Sequence, residues 1–237
     1  DWNDRIFTLN TSISNCLTDA SADRQHIGDN EYSTLSYLNG WYSTGTSTLD
    51  RMQVTFKDAN GNFISVITTD VISSNGGYDG SSDTGLVDAN KKIQFAGVGT
   101  ANMLGAGVTI PSNWAHYEVL FRTGLGMKSK TYHYYKRNAD CKGFEKIRLT
   151  WLNKYGAWDY YTFTKKNIRS TNIKRAEYSK VKGNWNSSTF SKNGFDRGRG
   201  VLNTNATEKI SLNSDWFSTD EEAAWLEQLF ISPEVYI

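Results

Sequence analysis

Histidine, proline and cysteine are scarce in this chain, with three His, two Pro and two Cys among 237 residues. Few histidines leave few catalytic options. Any Ser-His-Asp or Cys-His arrangement would have to use His26, His116 or His133, and no Gly-x-Ser-x-Gly elbow accompanies them. A His-Glu-x-x-His zinc motif, a Walker-type phosphate loop and a dinucleotide-binding glycine fingerprint are all missing. The paired carboxylates of glycosidase chemistry need no motif, but no acidic residue here stands in a distinctive one. The expectation is a protein that is not an enzyme and needs no cofactor.

Cys16 and Cys141 are too few for a disulfide scaffold and too far apart in sequence for a zinc motif. They read as buried thiols, which pack as small hydrophobes, with a single bridge as the alternative. No apolar run is long enough to span a bilayer, and the first residues do not form a charged-then-apolar leader. Because the chain opens on Asp1 instead of Met, a removed leader and an incomplete sequence both stay open. A formal net charge of +1 gives the whole molecule no strong attraction to nucleic acid or to an anionic membrane. Neither is expected as a partner.

What the chain has is aromatic and glycine-rich. Eight Trp, thirteen Tyr and twenty Gly favour strands joined by tight turns, and 38% hydrophobic with 22% charged residues is a globular composition. The fold class expected is all-β, in β-sandwich-like units with one short C-terminal helix. An N-terminal β-rich domain would cover residues 1–135 and a C-terminal one residues 136–237.

Local signals support this. Met52, Val54 and Phe56 alternate with polar residues, Asp58-Ala-Asn-Gly-Asn62 follows, and Phe63 to Thr69 resumes an extended pattern. Alternation on both sides of Asn-Gly marks a hairpin. The same text resembles a calcium loop but lacks the closing bidentate Glu. Ser73 to Thr84 reads as a surface loop, in which Asp79 and Asp83, with Asp88 just beyond, are more readily solvated carboxylates than cation ligands. Further strands are expected over 92–98 and 114–122, with His116 structural. Aromatic strands from Tyr132 to Phe163 meet at Asn153-Lys-Tyr-Gly156. Trp151, Trp158, Trp216 and Trp225 are expected in cores or interfaces.

Lys165 to Lys182 is basic, with Glu177 its single acid. A solvated strand face accounts for it, and a contact with an acidic partner is the sharper reading, in which Tyr178 and Trp185 could stack. A Gly-flanked turn carrying Arg197 and Arg199 could reach a neighbouring subunit. Lys165, Lys166, Arg169, Lys174, Arg175, Arg197 and Arg199 are therefore the candidate subunit-contact residues. At the end, Ser218 followed by Glu221 is a capping-box pattern, and Trp225, Leu226, Leu229 and Phe230 fall at helical spacing. A helix over about 219–230 should stop before Ser232-Pro233, with a final strand or docked tail over 235–237.

Two passages carry a resemblance. Cys141-Lys-Gly-Phe-Glu-Lys-Ile-Arg-Leu-Thr-Trp-Leu-Asn-Lys-Tyr-Gly-Ala-Trp-Asp-Tyr-Tyr-Thr-Phe163 resembles a Cys, then Leu-x-Trp-Leu-Asn-x-x-Gly-x-x-Asp-x-x-x-Phe, of a group of tailed-bacteriophage virion proteins. Ser214 to Tyr236 is similar to that group's Ser-x-Trp, acidic helix and Ser-Pro-x-Val-Tyr ending. The resemblance covers roughly the last hundred residues well and the first half loosely. It implies a non-enzymatic virion component, of the tail or its attachment region, whose partners are other virion proteins and copies of itself. It brings no catalytic residues. A secreted or surface carbohydrate-binding module is the rival reading, because exposed Trp and Tyr beside Asp and Asn suit sugar rings.

Overall fold

The computed structural model describes residues 16–38, 51–70, 93–122, 129–137, 143–180, 183, 187–191 and 198–237. Among them the fold is all-β. The strands are β1 (Gln25–Ile27), β2 (Thr34–Leu38), β3 (Arg51–Lys57), β4 (Phe63–Asp70), β5 (Ile93–Gly97), β6 (His116–Arg122), β7 (Tyr132–Lys136), β8 (Ile147–Leu152), β9 (Trp158–Phe163), β10 (Ile168–Ser179), β11 (Arg199–Ser211) and β12 (Val235–Tyr236). Two short helices join them, α1 (Thr100–Gly105) and α2 (Asp220–Ile231).

Contacts group the chain into two compact units, one of residues 1–142, 147–162 and 216–237, the other of residues 143–146 and 163–215. The chain changes unit at four places, because it leaves the first unit and returns to it.

The first unit is built on a five-stranded sheet in the order β1-β7-β6-β3-β4, parallel between β1 and β7 and antiparallel elsewhere. Period-two alternation on β3 and β6 turns Met52, Val54, Phe56, Tyr117, Val119 and Phe121 to one face, where all are fully buried. Each such side chain contributes roughly 1.5–3 kcal/mol relative to exposure. Lys57, His116 and Glu118 point the other way and are half-buried. The inner face packs on the antiparallel β2–β5 pair and on α1. Tyr37 of β2 meets Phe121 at 4.6 Å between ring centroids, and the Tyr117 hydroxyl donates to the Val98 carbonyl at 2.8 Å. Two facing sheets make this a sandwich-like core. Cys16 is buried in it; Cys141 lies outside the described residues.

A three-stranded sheet in the order β12-β8-β9 belongs to the same unit. The hairpin expected around Asn153 to Gly156 is present and is held by one side chain. Asn153 Oδ1 accepts from the Tyr155 and Ala157 backbone amides at 2.9 and 3.0 Å, while Asn153 Nδ2 donates to the Leu17 carbonyl at 2.8 Å. Gly156 has φ 76° with open space where a Cβ would stand. Gly156→Ala should therefore cost only the left-handed backbone penalty, about 1–2 kcal/mol. A urea titration of the variant checks this; an unchanged midpoint would mean that the turn relaxes.

The second hairpin expected from the sequence, β3–β4, closes at Asp58. Its Oδ1 accepts from the Asn60 and Asn62 amides, both at 2.8 Å, and its Oδ2 from Asn62 Nδ2 at 3.0 Å. These hydrogen bonds hold the carboxyl below its ordinary value. The carboxylate is thus committed to the turn. Asp79, Asp83 and Asp88, with the loop from Ser73 to Thr84, lie outside the described residues.

Helix α2 starts one residue later than the capping-box reading. Thr219, not Ser218, is the cap: its Oγ1 accepts from the Glu222 amide at 3.3 Å, and Glu222 Oε2 reaches back to the Ser218 amide at 3.0 Å. Trp225, Leu226 and Gln228 are its buried residues, and Phe230 is 82% exposed, so the buried stripe is narrower than the spacing suggested. The expected final strand is β12, which pairs Val235 with Trp151 and Tyr236 with Thr150. Trp151 and Trp225 are core residues, and Trp158 is half-buried beside Tyr236 at 5.7 Å. Trp216 is not a core residue: it is 94% exposed, which leaves the interface half of the expectation for it. Helix α1 is the second departure, since the sequence suggested only one helix. Six residues after Gly99 are too short for an apolar stripe to register.

The described part of the second unit holds a single antiparallel ribbon, β10 with β11.

Candidate functional site

Isolated two-stranded ribbons are marginally stable in water, because neither face finds a layer to pack on. This one runs for 12 residues in β10 and 13 in β11, and every β10 residue is exposed. One face sets Ser170, Asn172 and Lys174 opposite Lys209, Thr207 and Asn205, and these six line a shallow concavity. Across the pleat Ile173 stands opposite Ala206, and Arg169 opposite Ile210. A register shift between Ala176 and Glu177 interrupts the ladder. Ile168, Ile173, Tyr178, Val201 and Leu202 are apolar and about half or more exposed. Neither strand has a second neighbour among the described residues, which leaves two long strand edges.

The candidate contact residues fall mostly on or beside this ribbon, but the ribbon unit partly neutralises them. Arg169 forks to Glu145 at 2.7 and 3.1 Å and reaches Glu208 at 3.0 Å. Lys165 pairs with Asp215 at 2.9 Å and Arg199 with Glu177 at 3.3 Å. Lys166, Lys174 and Arg175 make no ion pair among the described residues. Arg197, Lys182 and Trp185 lie outside them. Three of the seven cations thus find their acids within their own chain, in Glu145, Glu177, Glu208 and Asp215, of which the basic stretch itself shows only Glu177.

Charge is nevertheless divided between the units. Residues 143–146 and 163–215 carry twelve Lys/Arg against five Asp/Glu, net +7, which leaves fourteen against twenty, net −6, for the rest of the chain. A total of +1 conceals this division.

In the first unit, partly or fully buried ionisable groups serve the framework. Glu31 pairs with Arg137 and, at 2.9 Å, with Arg148, whose other contacts are Thr162 and the Tyr32 carbonyl. Desolvation works to raise the Glu31 carboxyl, and the two guanidinium groups overcome it and hold it low. Asp19 behaves similarly, with burial opposed by Lys154, Tyr155 and Gln228. Asp159 of β9 is different. Burial pushes it up to about 6 despite hydrogen bonds from Thr18, Trp225 and Asn153, of which the Trp225 indole donates at 2.8 Å.

One grouping escaped the sequence reading. His26 of β1, His116 of β6 and His133 of β7 all stand on the outer face of the five-stranded sheet, although 90 and 17 residues separate them in turn. Strand parity was the available signal, but it needed the pairing of β1, β7 and β6 to be useful. Desolvation, then the Lys57 charge, lowers the His116 value.

No protein-family model, curated protein or solved structure matches the chain.

Proposed function

We propose that the chain is a non-enzymatic assembly subunit, a virion structural protein of the tail or its attachment region, acting through contacts with copies of itself and with other virion proteins. The observation that carries this reading is the long β10–β11 ribbon, which among the described residues is exposed along both strands, has no second neighbour at either edge and holds apolar side chains in water. A partner that adds a strand or covers a face would bury them. The charge division supports contacts between copies, a basic ribbon unit of one meeting the acidic remainder of another. The resemblance of Cys141 to Phe163 and of Ser214 to Tyr236 to tailed-phage virion proteins supplies the setting, a virion.

Sedimentation checks the physical part. Purified protein should associate at low salt and dissociate at about 0.5 M salt, where charges are screened within well under 8 Å. Lys174→Glu with Arg175→Glu should shift the low-salt equilibrium towards monomer. Mass spectrometry of purified virions from the source checks the setting. A carbohydrate-binding module is the second reading, supported by the 94% exposed Trp216. Absence from virions together with saturable binding of a soluble sugar, lost in Trp216→Ala, would replace the assembly reading.

A further inference from the structure

His116 and Glu118 are two residues apart on β6, and His133 of β7 is the direct cross-strand partner of Glu118. Alternation therefore sends all three side chains to the outer face of the sheet. One donor atom from each lies within 4.8 Å of the other two, and His133 Nδ1 is 3.5 Å from Glu118 Oε1. We propose that His116, Glu118 and His133 bind a divalent transition-metal ion of the zinc class, with water in a fourth position.

The donor set decides the class of ion. Two imidazoles and one carboxylate suit zinc and its neighbours, whereas calcium and magnesium take oxygen ligands. At metal–ligand bonds near 2.1 Å, tetrahedral donors stand about 3.4 Å apart. The His133–Glu118 separation already meets that spacing, and half-buried side chains can close the remainder by small rotamer changes. The backbone under them is fixed. Tyr117, Val119, Tyr132 and Tyr134, which alternate with the ligands, are buried in the core, so the site stands on rigid strands. Tyr135 stacks on His116 at 5.1 Å and 20°, which restricts the ring.

Lys57 competes for the site. It stands opposite His116 on β3, and its Nζ is 2.5 Å from Glu118 Oε1. A metal ion must displace this ammonium from the carboxylate. The competition weakens binding and supplies a diagnostic, since removing Lys57 should strengthen it.

The test uses protein dialysed against chelator, with zinc titrated by calorimetry and cobalt(II) as a visible-absorption probe of coordination. One equivalent of zinc should bind saturably and displace the cobalt spectrum. His133→Ala and Glu118→Gln should each weaken zinc by at least about tenfold, the lower end of what even indirect changes to metal sites produce. Lys57→Met should tighten it. His26→Ala, on the same face but outside the triad, should leave it unchanged, and this variant with Lys57→Met keeps the test informative if a ligand variant folds poorly. Zinc binding that is absent, unsaturable, equally strong in His133→Ala or equally lost in His26→Ala overturns the proposal and leaves an ion-paired sheet face.

Discussion

Trp151→Ala should lower the stability of the protein by about 3–5 kcal/mol, a large part of the roughly 5–15 kcal/mol that holds a domain folded. Trp151 is fully buried near the C-terminal end of β8, the strand that pairs with β12. Its ring lies 5.4 Å from that of Trp225 at 45°, so truncation opens a cavity beneath α2 and removes an aromatic contact at once. The indole nitrogen has no acceptor among the described residues. Trp151 is thus held for volume rather than for a hydrogen bond, and Trp151→Phe should cost clearly less than Trp151→Ala. Urea titration of the three proteins gives the order wild type, Phe, Ala. A loss below about 1 kcal/mol in the Ala variant, the typical effect of an average substitution, would mean that the site collapses around the missing ring.

Much of this framework is written locally in the chain. Ile147, Leu149 and Trp151 alternate with polar residues, and that alternation alone turns all three inward. Asp58 and Gly61 specify one hairpin, Asn153 and Gly156 another. What resisted reading depends on partners distant in the chain. Trp216 stands with the other three tryptophans in the sequence as a core or interface residue, and only tertiary contacts decide that a residue just before a helix stays out of the core. The ribbon is the opposite case. Its basic residues were legible as an exposed strand face, but its acids come from Glu145, Glu208 and Asp215, as far as fifty positions away. Outward histidines on β1, β6 and β7 become one group only through strand order, which composition does not encode.

The stability of the wild-type protein should fall relative to Asp159→Asn as pH rises from acid to neutral. Asp159 lies on β9, buried, with Trp225 Nε1 donating to one carboxylate oxygen at 2.8 Å and Thr150 Oγ1 donating to its backbone carbonyl at 3.0 Å. Desolvation raises its folded-state value to about 6 from the ordinary 3.8, more than the hydrogen bonds from Thr18, Trp225 and Asn153 can offset. A raised carboxyl value means that the folded protein holds the proton more tightly than the unfolded chain. The resulting stabilisation is complete below 3.8, declines as pH climbs through the interval, and is gone above about 6. At about 1.4 kcal/mol per pH unit the full term is about 3 kcal/mol, of which about 2 kcal/mol falls between about pH 4.5 and about pH 7. An Asn side chain keeps an oxygen for the Trp225 indole and has no proton to lose in this range. Subtracting the variant's stability from that of the wild type at each pH cancels the carboxylates that do not interact with Asp159, and Asp19, which does, is held below its ordinary value and titrates beneath the window. The difference should therefore drift by about 2 kcal/mol in favour of the variant across that range. A difference that stays flat with pH would show that Asp159 is ionised in the folded protein throughout, with its hydrogen bonds fully compensating its burial.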